Sequence, residues 1–385
     1  MSATGGAPQA TGGAVGGGPS TTDALNVVAI TVDSGPAGRN YIDGAFVSVT
    51  LCEPGTGNCQ TIDHLLVDTG STGVRVLESV LTLHLPDAPS GTGKSLAECM
   101  PFGSGTSWGP VRLADVKVAA EIAPKVSIQV IGERSFAQPS ACAGLPNNDV
   151  DTLGANGIFG IGVLAEDCGP TCTRVNPDGH GYYECSSATA CAQVGVPLAG
   201  QVSNPIIAFP VDNNGSFIQL PSVPSAGAPS AGGYLVFGIG TRPNNGLGNA
   251  KVIAVDGDGF AMTVFPTNGS LYRSFVDTGS NGIFFSGATT AELPACTGLW
   301  TGFYCPPKSA DYGASIIGID HTEAEVSFSV ANASQLSVSN HAFSNLAGPG
   351  MSAFDWGLPF HFGRKVFTAI ESRSTPAGAG PYVAF

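Results

Sequence analysis

The chain has 385 residues and a formal net charge of −14, with only 15 Lys and Arg. So few cations exclude an extended nucleic-acid-binding surface, which needs clustered Lys and Arg to neutralise phosphates. The 54 glycines, 28 prolines and 11% charged residues favour short strands joined by turns over long amphipathic helices. We therefore predict a mostly β protein that is long enough for two lobes.

The first 24 residues are rich in Gly, Ala, Ser and Thr and carry almost no charge. They lack the apolar core of a signal peptide, so we interpret residues 1–24 as a flexible leader. No stretch of the sequence is long and apolar enough to predict a transmembrane segment. We hypothesise that the leader tethers the protein to a lipid or membrane anchor, provided that an export signal is removed upstream.

Strand-like runs follow the leader at short intervals, with alternating or β-branched patterns between Gly, Pro and Asp turns. The predicted strands are residues 25–32, 45–51, 62–67, 111–118, 126–131, 234–239, 251–255, 261–265 and 324–330. A Pro, Ser, Ala and Gly run at 221–233 has no apolar periodicity and predicts a long loop near the junction of two halves. We place an N-terminal lobe at 25–212 and a C-terminal lobe at 213–385.

The ten cysteines are spaced locally, which is typical of disulfides in an exported protein. We predict the pairs Cys52–Cys59, Cys99–Cys142 and Cys296–Cys305, with Cys168, Cys172, Cys185 and Cys191 pairing among themselves. The alternative is a zinc site built from those last four residues, but their spacing is irregular. We therefore predict no metal and no cofactor, and a location in the periplasm, at the cell surface or outside the cell.

The most informative feature is an internal repeat. Val-Asp-Thr-Gly-Ser-x-Gly occurs at residues 67–73 and again at 276–282, each time directly after a hydrophobic run. Two copies in matching strand-then-turn contexts are far rarer than one. The repeat singles out Asp68 and Asp277 as a candidate pair, against the alternative that both are ordinary turn aspartates that close strands.

The residue types around each aspartate suit acid–base chemistry. Glycine permits a tight turn that brings backbone amides onto the carboxylate, and the following serine hydroxyl can bond its outer oxygen. The threonine hydroxyl can bond the opposing loop, so two copies can hold two carboxyl groups together. Two like charges at such a short distance cannot both ionise easily, so the two carboxyl groups share one proton. The ionised carboxyl can then take a proton from water while the protonated one hydrogen-bonds a substrate carbonyl.

With these motifs the sequence resembles the pepsin-like aspartic protease family. The stretch at 156–162 is similar to the family's hydrophobic-hydrophobic-Gly element, 354–360 to its second copy, and 366–371 to its closing strand. Residues 101–106 are similar to the β-hairpin flap. The Gly-rich leader also resembles, more weakly, an uncharacterised bacterial group of exported, often lipid-anchored proteins.

The resemblance implies a bilobal β fold with an active-site cleft between two barrel-like lobes, and a monomeric endopeptidase that cuts a peptide or protein substrate. It implies that Asp68 and Asp277 are catalytic. The dyad-supporting residues would be Thr69, Gly70, Ser71, Thr278, Gly279 and Ser280, and the flap or substrate-binding residues would be Phe102, Gly103, Ser104, Gly105 and Ile158. We expect Phe102 and Ile158 to line the pocket that precedes the scissile bond.

Two departures from the family bear on activity. The usual flap tyrosine, which bonds a tryptophan, is replaced by Phe102, and the matching later position holds Arg75. That hydrogen bond cannot form, so the flap must close in a different way or not close at all. No prosegment of the usual kind is visible either.

Three function classes remain open. The first is an aspartic endopeptidase that prefers apolar residues at the cut and acid pH. The acidic, Lys-poor composition suits low pH, although acidic proteins are also common for solubility alone. The second is a non-catalytic pepsin-fold protein that binds a peptide, glycan or partner. The third, suggested only by the leader, is a surface-anchored structural or adhesive protein.

Overall fold

The computed structural model describes residues 25–265, 269–286, 292–350 and 352–385, so the predicted leader lies outside the described residues. Within them the chain is built mainly of strands, with one short helix, α1, at Val150–Leu153. Short 3-10 turns lie at Glu78–Val80, Gly169–Thr173, Leu198–Gly200, Pro205–Ala208, Gly298–Trp300, Ala333–Gln335 and Leu358–His361. No helix in these ranges is long and apolar enough to cross a membrane.

The strands are numbered here in chain order. The first ten are β1 Val27–Val32, β2 Ala45–Cys52, β3 Cys59–Asp68, β4 Thr72–Leu77, β5 Ser95–Phe102, β6 Gly105–Val118, β7 Glu121–Ile131, β8 Gly157–Ile161, β9 Gly181–Ser187 and β10 Ala190–Gln193. The others are β11 Gly215–Gln219, β12 Ala231–Phe237, β13 Val252–Ala254, β14 Ala261–Phe265, β15 Ser270–Val276, β16 Ile283–Phe285, β17 Ala310–Ile317, β18 Glu323–Val330, β19 Ala347–Pro349, β20 Phe354–Trp356, β21 Lys365–Ala369, β22 Ser374–Thr375, β23 Gly378–Ala379 and β24 Tyr382–Ala384.

Two large sheets organise these strands. The first has the order β10-β9-β5-β6-β7-β4-β8-β3-β2-β1-β12-β11-β21-β24-β13, and the second β18-β17-β14-β15-β20-β16-β19. Strand β18 shows how sequence pattern sets the faces, since its residues alternate strictly between exposed and buried over most of its length. The C-terminal half also contributes to the first sheet, because β12 pairs with β1. The lobe boundary at 212/213 stays a prediction.

The two sheets contain the same strand arrangement. In the first, β8 lies parallel to β3 and antiparallel to β4, which pairs in parallel with β7. In the second, β20 lies parallel to β15 and antiparallel to β16, which pairs in parallel with β19. Strands β2 and β14 flank the two units in the same way. The internal repeat of the sequence is therefore a repeat of structure.

Each sheet covers its own hydrophobic core. The larger core is mainly aliphatic and is centred on residues such as Val49, Val74 and Phe159. The second is rich in aromatic rings, with Phe285 stacked on Phe354 at a centroid distance of 5.0 Å. Two barrel-like β units with separate cores make up the predicted pepsin-like two-lobe fold.

The nine predicted strands are all present, with most ends shifted by up to three residues, while β6 and β7 begin six and five residues earlier than predicted. The predicted loop at 221–233 ends earlier than predicted, because strand β12 begins at Ala231. Gly233 pairs with Ile30 there, and a Cβ at Gly233 would lie 2.5 Å from the Gln219 carbonyl oxygen, so glycine suits this strand for close packing.

The disulfide prediction is confirmed. The three predicted pairs are present, and the other four cysteines pair as Cys168–Cys172 and Cys185–Cys191. These four residues therefore form disulfides rather than a zinc site. The described residues also contain no cluster of His, Cys, Asp or Glu that could hold a metal ion.

Candidate active site

The two repeated aspartates lie in one cleft of about 1050 Å³. Asp68 is the last residue of β3 and is in register with Gly160 of β8. Asp277 directly follows β15, and its backbone amide donates to the Trp356 carbonyl oxygen at 3.1 Å. Both carboxyl groups thus leave the ends of equivalent strands at equivalent places in the two sheet units.

The threonines of the two motifs join the opposing loops. The Thr278 hydroxyl donates to the Val67 carbonyl oxygen at 2.7 Å, and the Thr69 hydroxyl donates to the Val276 carbonyl oxygen at 3.2 Å. Each hydroxyl also accepts the backbone amide of the other threonine, at 3.0 and 3.1 Å. Because all these groups are buried, the reciprocal bonds fix how the two loops meet.

A backbone amide and a serine hydroxyl orient each carboxyl group. Asp68 accepts from the Gly70 amide at 2.8 Å and from the Ser71 hydroxyl at 2.5 Å. The second motif repeats both bonds, with 2.7 Å from the Gly279 amide and 2.7 Å from the Ser280 hydroxyl to Asp277. Amide and hydroxyl donors stabilise the ionised form of a carboxyl group.

The motif glycines let the carboxyl groups approach each other. A Cβ placed on Gly70 would lie 2.5 Å from Cγ of Asp277, and a Cβ on Gly279 would lie 2.7 Å from Cγ of Asp68. Each carboxyl group therefore rests against the glycine of the other motif, a position that no larger residue can occupy.

The electrostatic setting favours a shared proton. Burial, followed by the charge of Asp277, raises the pKa of Asp68 to about 8. The hydrogen bonds from Ser71 and Gly70 oppose this rise but do not cancel it. A carboxyl group that keeps its proton beside an ionised neighbour is the arrangement that acid–base hydrolysis requires.

The predicted flap residues form the turn of the β5–β6 hairpin. Phe102, Gly103 and Ser104 line the cleft, as does Ile158 of β8. Gly105 is not among the cleft-lining residues. Its backbone faces the neighbouring loop instead, and a Cβ there would lie 2.6 Å from the Leu145 carbonyl oxygen.

Arg75, the residue that we expect to match the tryptophan of the pepsin-like family, is fully buried. Its guanidinium donates to Glu98 at 3.0 Å and to Asp167 at 2.8 Å. Its Cζ atom lies 5.5 Å from the centre of the Phe102 ring, a cation–π contact. Because Glu98 belongs to strand β5, an ion pair links the base of the flap to the sheet.

Two of the cleft residues that sequence reasoning missed lie close enough to the aspartate pair for its charges to raise their pKa values. Tyr41 lines the cleft, and burial, followed by the charges of Asp68 and Asp277, raises its pKa. Asp355 also lines the cleft, one strand away from Asp277. In the sequence Asp355 lies two residues before Gly357, as Ile158 lies two residues before Gly160, but only the strand register shows that the two positions correspond.

The solved aspartic proteinase from Irpex lacteus is similar to this chain in structure, with a TM-score of 0.54 and 16% sequence identity. The match covers 93% of this chain and 96% of that one. At this identity the likeness shows the fold alone, which is the pepsin-like fold of two β lobes. The family model described as "Protein of unknown function (DUF3443)" matches residues 22–385, so the chain belongs to that family. A search of curated proteins finds no match.

Proposed function

We propose that this protein is an aspartic endopeptidase. The observation that carries the proposal is the reciprocal packing of the two motifs, in which each carboxyl group lies against the glycine of the opposite motif. Asp68 and Asp277 would be the catalytic pair, oriented by the serines and glycines and fixed by the threonines. The raised pKa of Asp68 supports a pair that holds one proton between two carboxyl groups.

The pair would activate a water molecule without a covalent intermediate. The ionised carboxyl takes a proton from the water as its oxygen attacks the scissile carbonyl carbon, and the protonated carboxyl gives its proton to the carbonyl oxygen. The C–N bond of the resulting diol then breaks, the leaving amine takes a proton from the pair, and a diol hydroxyl returns one. The pair ends as it began, with one proton.

An extended peptide would lie across the cleft below the β5–β6 hairpin, where an exposed hairpin edge can pair with it. Phe102 and Ile158 would contact the side chain before the scissile bond, which favours an apolar residue there. Five disulfides suit an oxidising compartment, so we place the enzyme outside the cytoplasm. We also propose that it acts as a monomer.

The test is cleavage of a mixed peptide library between about pH 3 and 8. Wild type would be compared with Asp68→Asn, with Asp277→Asn and with protein that is treated with a statine-type aspartic protease inhibitor. We expect cuts by the wild type that vanish in all three comparisons. Asp277→Asn should leave the melting temperature largely unchanged, because an amide keeps the shape of the carboxyl group. Its oxygen can still accept the Gly279 backbone amide, and its NH2 group can donate to the Ser280 hydroxyl oxygen once that hydroxyl rotates.

Two outcomes would contradict the proposal. Cuts that persist in both aspartate variants would point to a contaminating peptidase. No cuts at any pH by a folded, oxidised sample would favour the second candidate function, a binding protein of the same fold. The observation that favours a binding protein is Phe102, which lacks the hydroxyl group of the usual flap tyrosine.

A further inference from the structure

Asp355 is a third carboxyl group in the centre of the cleft, next to the candidate catalytic pair. It lies in β20, in register with Phe275 of β15 and Phe284 of β16, and all three residues line the cleft. Register partners on neighbouring strands point their side chains to the same face. Asp355 is therefore flanked on both sides by half-buried aromatic rings on one face of the sheet.

The repeat of the fold assigns Asp355 its position relative to a substrate. Ile158 in β8 is in register with Leu66, two residues before Asp68, and Asp355 is in register with Phe275, two residues before Asp277. Ile158 and Asp355 are thus equivalent residues on opposite walls of the cleft. If Ile158 faces the residue before the scissile bond, Asp355 faces the residue after it.

One oxygen of the Asp355 carboxyl group, Oδ1, lacks a hydrogen-bond partner. Asp355 is only 9% exposed, and its Oδ1 atom accepts no hydrogen bond. The hydroxyl group of the adjacent Ser280 donates to Asp277 at 2.7 Å, and its effect on Asp355 only partly opposes the rise in the pKa of that acid. A buried carboxyl oxygen without a donor is costly, so a ligand that brings a donor into the cleft would relieve that cost.

The charges of the cleft indicate which ligand that is. The two described cationic residues that line the cleft already form ion pairs, Arg39 with Asp151 and Arg273 with Asp256 and Asp258. Among the described cleft-lining residues, no cation is left for Asp355. Burial, and then the charges of Asp277 and Asp68, raise the pKa of Asp355. An incoming cation would offset both effects.

We propose that Asp355 selects substrates with lysine or arginine directly after the scissile bond. The ammonium or guanidinium group would donate to the carboxyl group of Asp355, which lines the cleft. The aliphatic stem of the same side chain would pack between the rings of Phe275 and Phe284. This inference rests on the proposed endopeptidase function, and it names the substrate class of that site.

The test compares two peptides that differ only after the scissile bond, one with lysine and one with norleucine, which has the same stem without the charge. We expect wild type to favour the lysine peptide in kcat/KM by about tenfold or more. Asp355→Asn should bring the ratio close to one. Asp355→Ile, which copies Ile158, should invert it, and its apolar side chain suits a place between two rings.

Asp151→Asn is the matched control, because it removes the same charge from the cleft at an acid that already pairs with Arg39. Its lysine-to-norleucine ratio should equal that of wild type. A wild-type ratio near one, or a ratio that falls equally in the Asp151 and Asp355 variants, would overturn the proposal, since net charge rather than Asp355 would then set the preference.

Binding of the same two peptides with a reduced, uncleavable bond separates this inference from the proposed function. If wild type cuts nothing but binds the lysine form more tightly, and Asp355→Asn removes that preference, the inference stands and the peptidase function fails. If wild type cuts peptides without any lysine preference, the peptidase stands and the inference fails. If neither uncleavable peptide binds, the inference fails as well.

Discussion

Three cleft carboxyl groups differ in what surrounds them. Asp68 and Asp277 each accept an amide and a hydroxyl proton, whereas Asp355 has an oxygen with no partner. Donors favour the ionised form of a carboxyl group, and burial favours the neutral form. In Asp68 burial prevails, which places its pKa at about 8 and makes it the better candidate for the protonated member of the pair at rest.

This pKa predicts the alkaline limit of activity. Asp68 keeps its proton below about pH 8 and loses it above that value, so the general acid disappears as pH rises. We expect kcat/KM to fall through about pH 8 on the alkaline side, with a slope of one proton. The measurement is a pH–rate profile with an uncharged peptide. Ser71→Ala removes a hydrogen bond that lowers this pKa, so its limit should move to higher pH, and an unchanged limit would exclude Asp68 as the group that titrates.

At the scale of elements, a buried ion cluster links the flap to the sheet. Arg75 of β4 contacts Glu98 of β5 and Asp167 of the loop after β8, and Tyr182 of β9 donates to Asp167 at 2.7 Å. Three segments therefore meet at one guanidinium group, and Asp167 joins a fourth, β9, to the cluster. The flap hairpin is held at its base by charge rather than by a tyrosine–tryptophan bond near its tip.

We predict that Arg75→Met destabilises the protein by about 3 to 5 kcal/mol, because it leaves Glu98 and Asp167 buried without a cation. The measurement is the free energy of unfolding in urea. Arg273→Met is the control, since that arginine pairs with exposed acids at the surface and should cost at most about 1 kcal/mol. An equal loss of unfolding free energy in the two variants would mean that burial of the Arg75 cluster contributes nothing to stability.

The same element scale shows why some of the site was predictable and some was not. Asp68 and its partners Gly70 and Ser71 lie within four consecutive residues, so their contacts follow from local turn chemistry. Arg75 meets residues that are 23 and 92 positions away, which only the folded sheet brings together. Asp355 was part of a motif, but its place beside the dyad depends on strand register, which no local pattern encodes.

At the scale of the whole molecule, duplication sets up the site and also breaks its symmetry. The two sheet units share strand order, register and the four dyad-orienting hydrogen bonds. The positions that flank the pair differ, with Ile158 on one wall and Asp355 on the other. The repeat therefore places a symmetric carboxyl pair between two walls of different polarity, which under the proposed function would let the two sides of one peptide bond be recognised differently.

The titration of its buried acids predicts that the folded protein is more stable in mild acid than above neutrality. Asp43, Asp68 and Asp355 all have a pKa raised chiefly by burial. A raised pKa in the folded state means that the native protein binds more protons than the unfolded chain between the two pKa values. Stability from these groups is therefore complete at low pH and is lost as pH rises through their folded pKa values.

We expect the melting temperature to be higher at about pH 5 than at about pH 8 by about 5 °C or more. Asp43→Asn should reduce the difference, since the amide stays neutral at both pH values and can still accept the Phe343 backbone amide, now 2.6 Å from Oδ1. The exposed Asp258→Asn is the control and should leave it unchanged. A melting temperature that falls on acidification to about pH 5 would show that these acids are ionised in the folded protein. Asp68 would then lack the proton that the proposed mechanism requires.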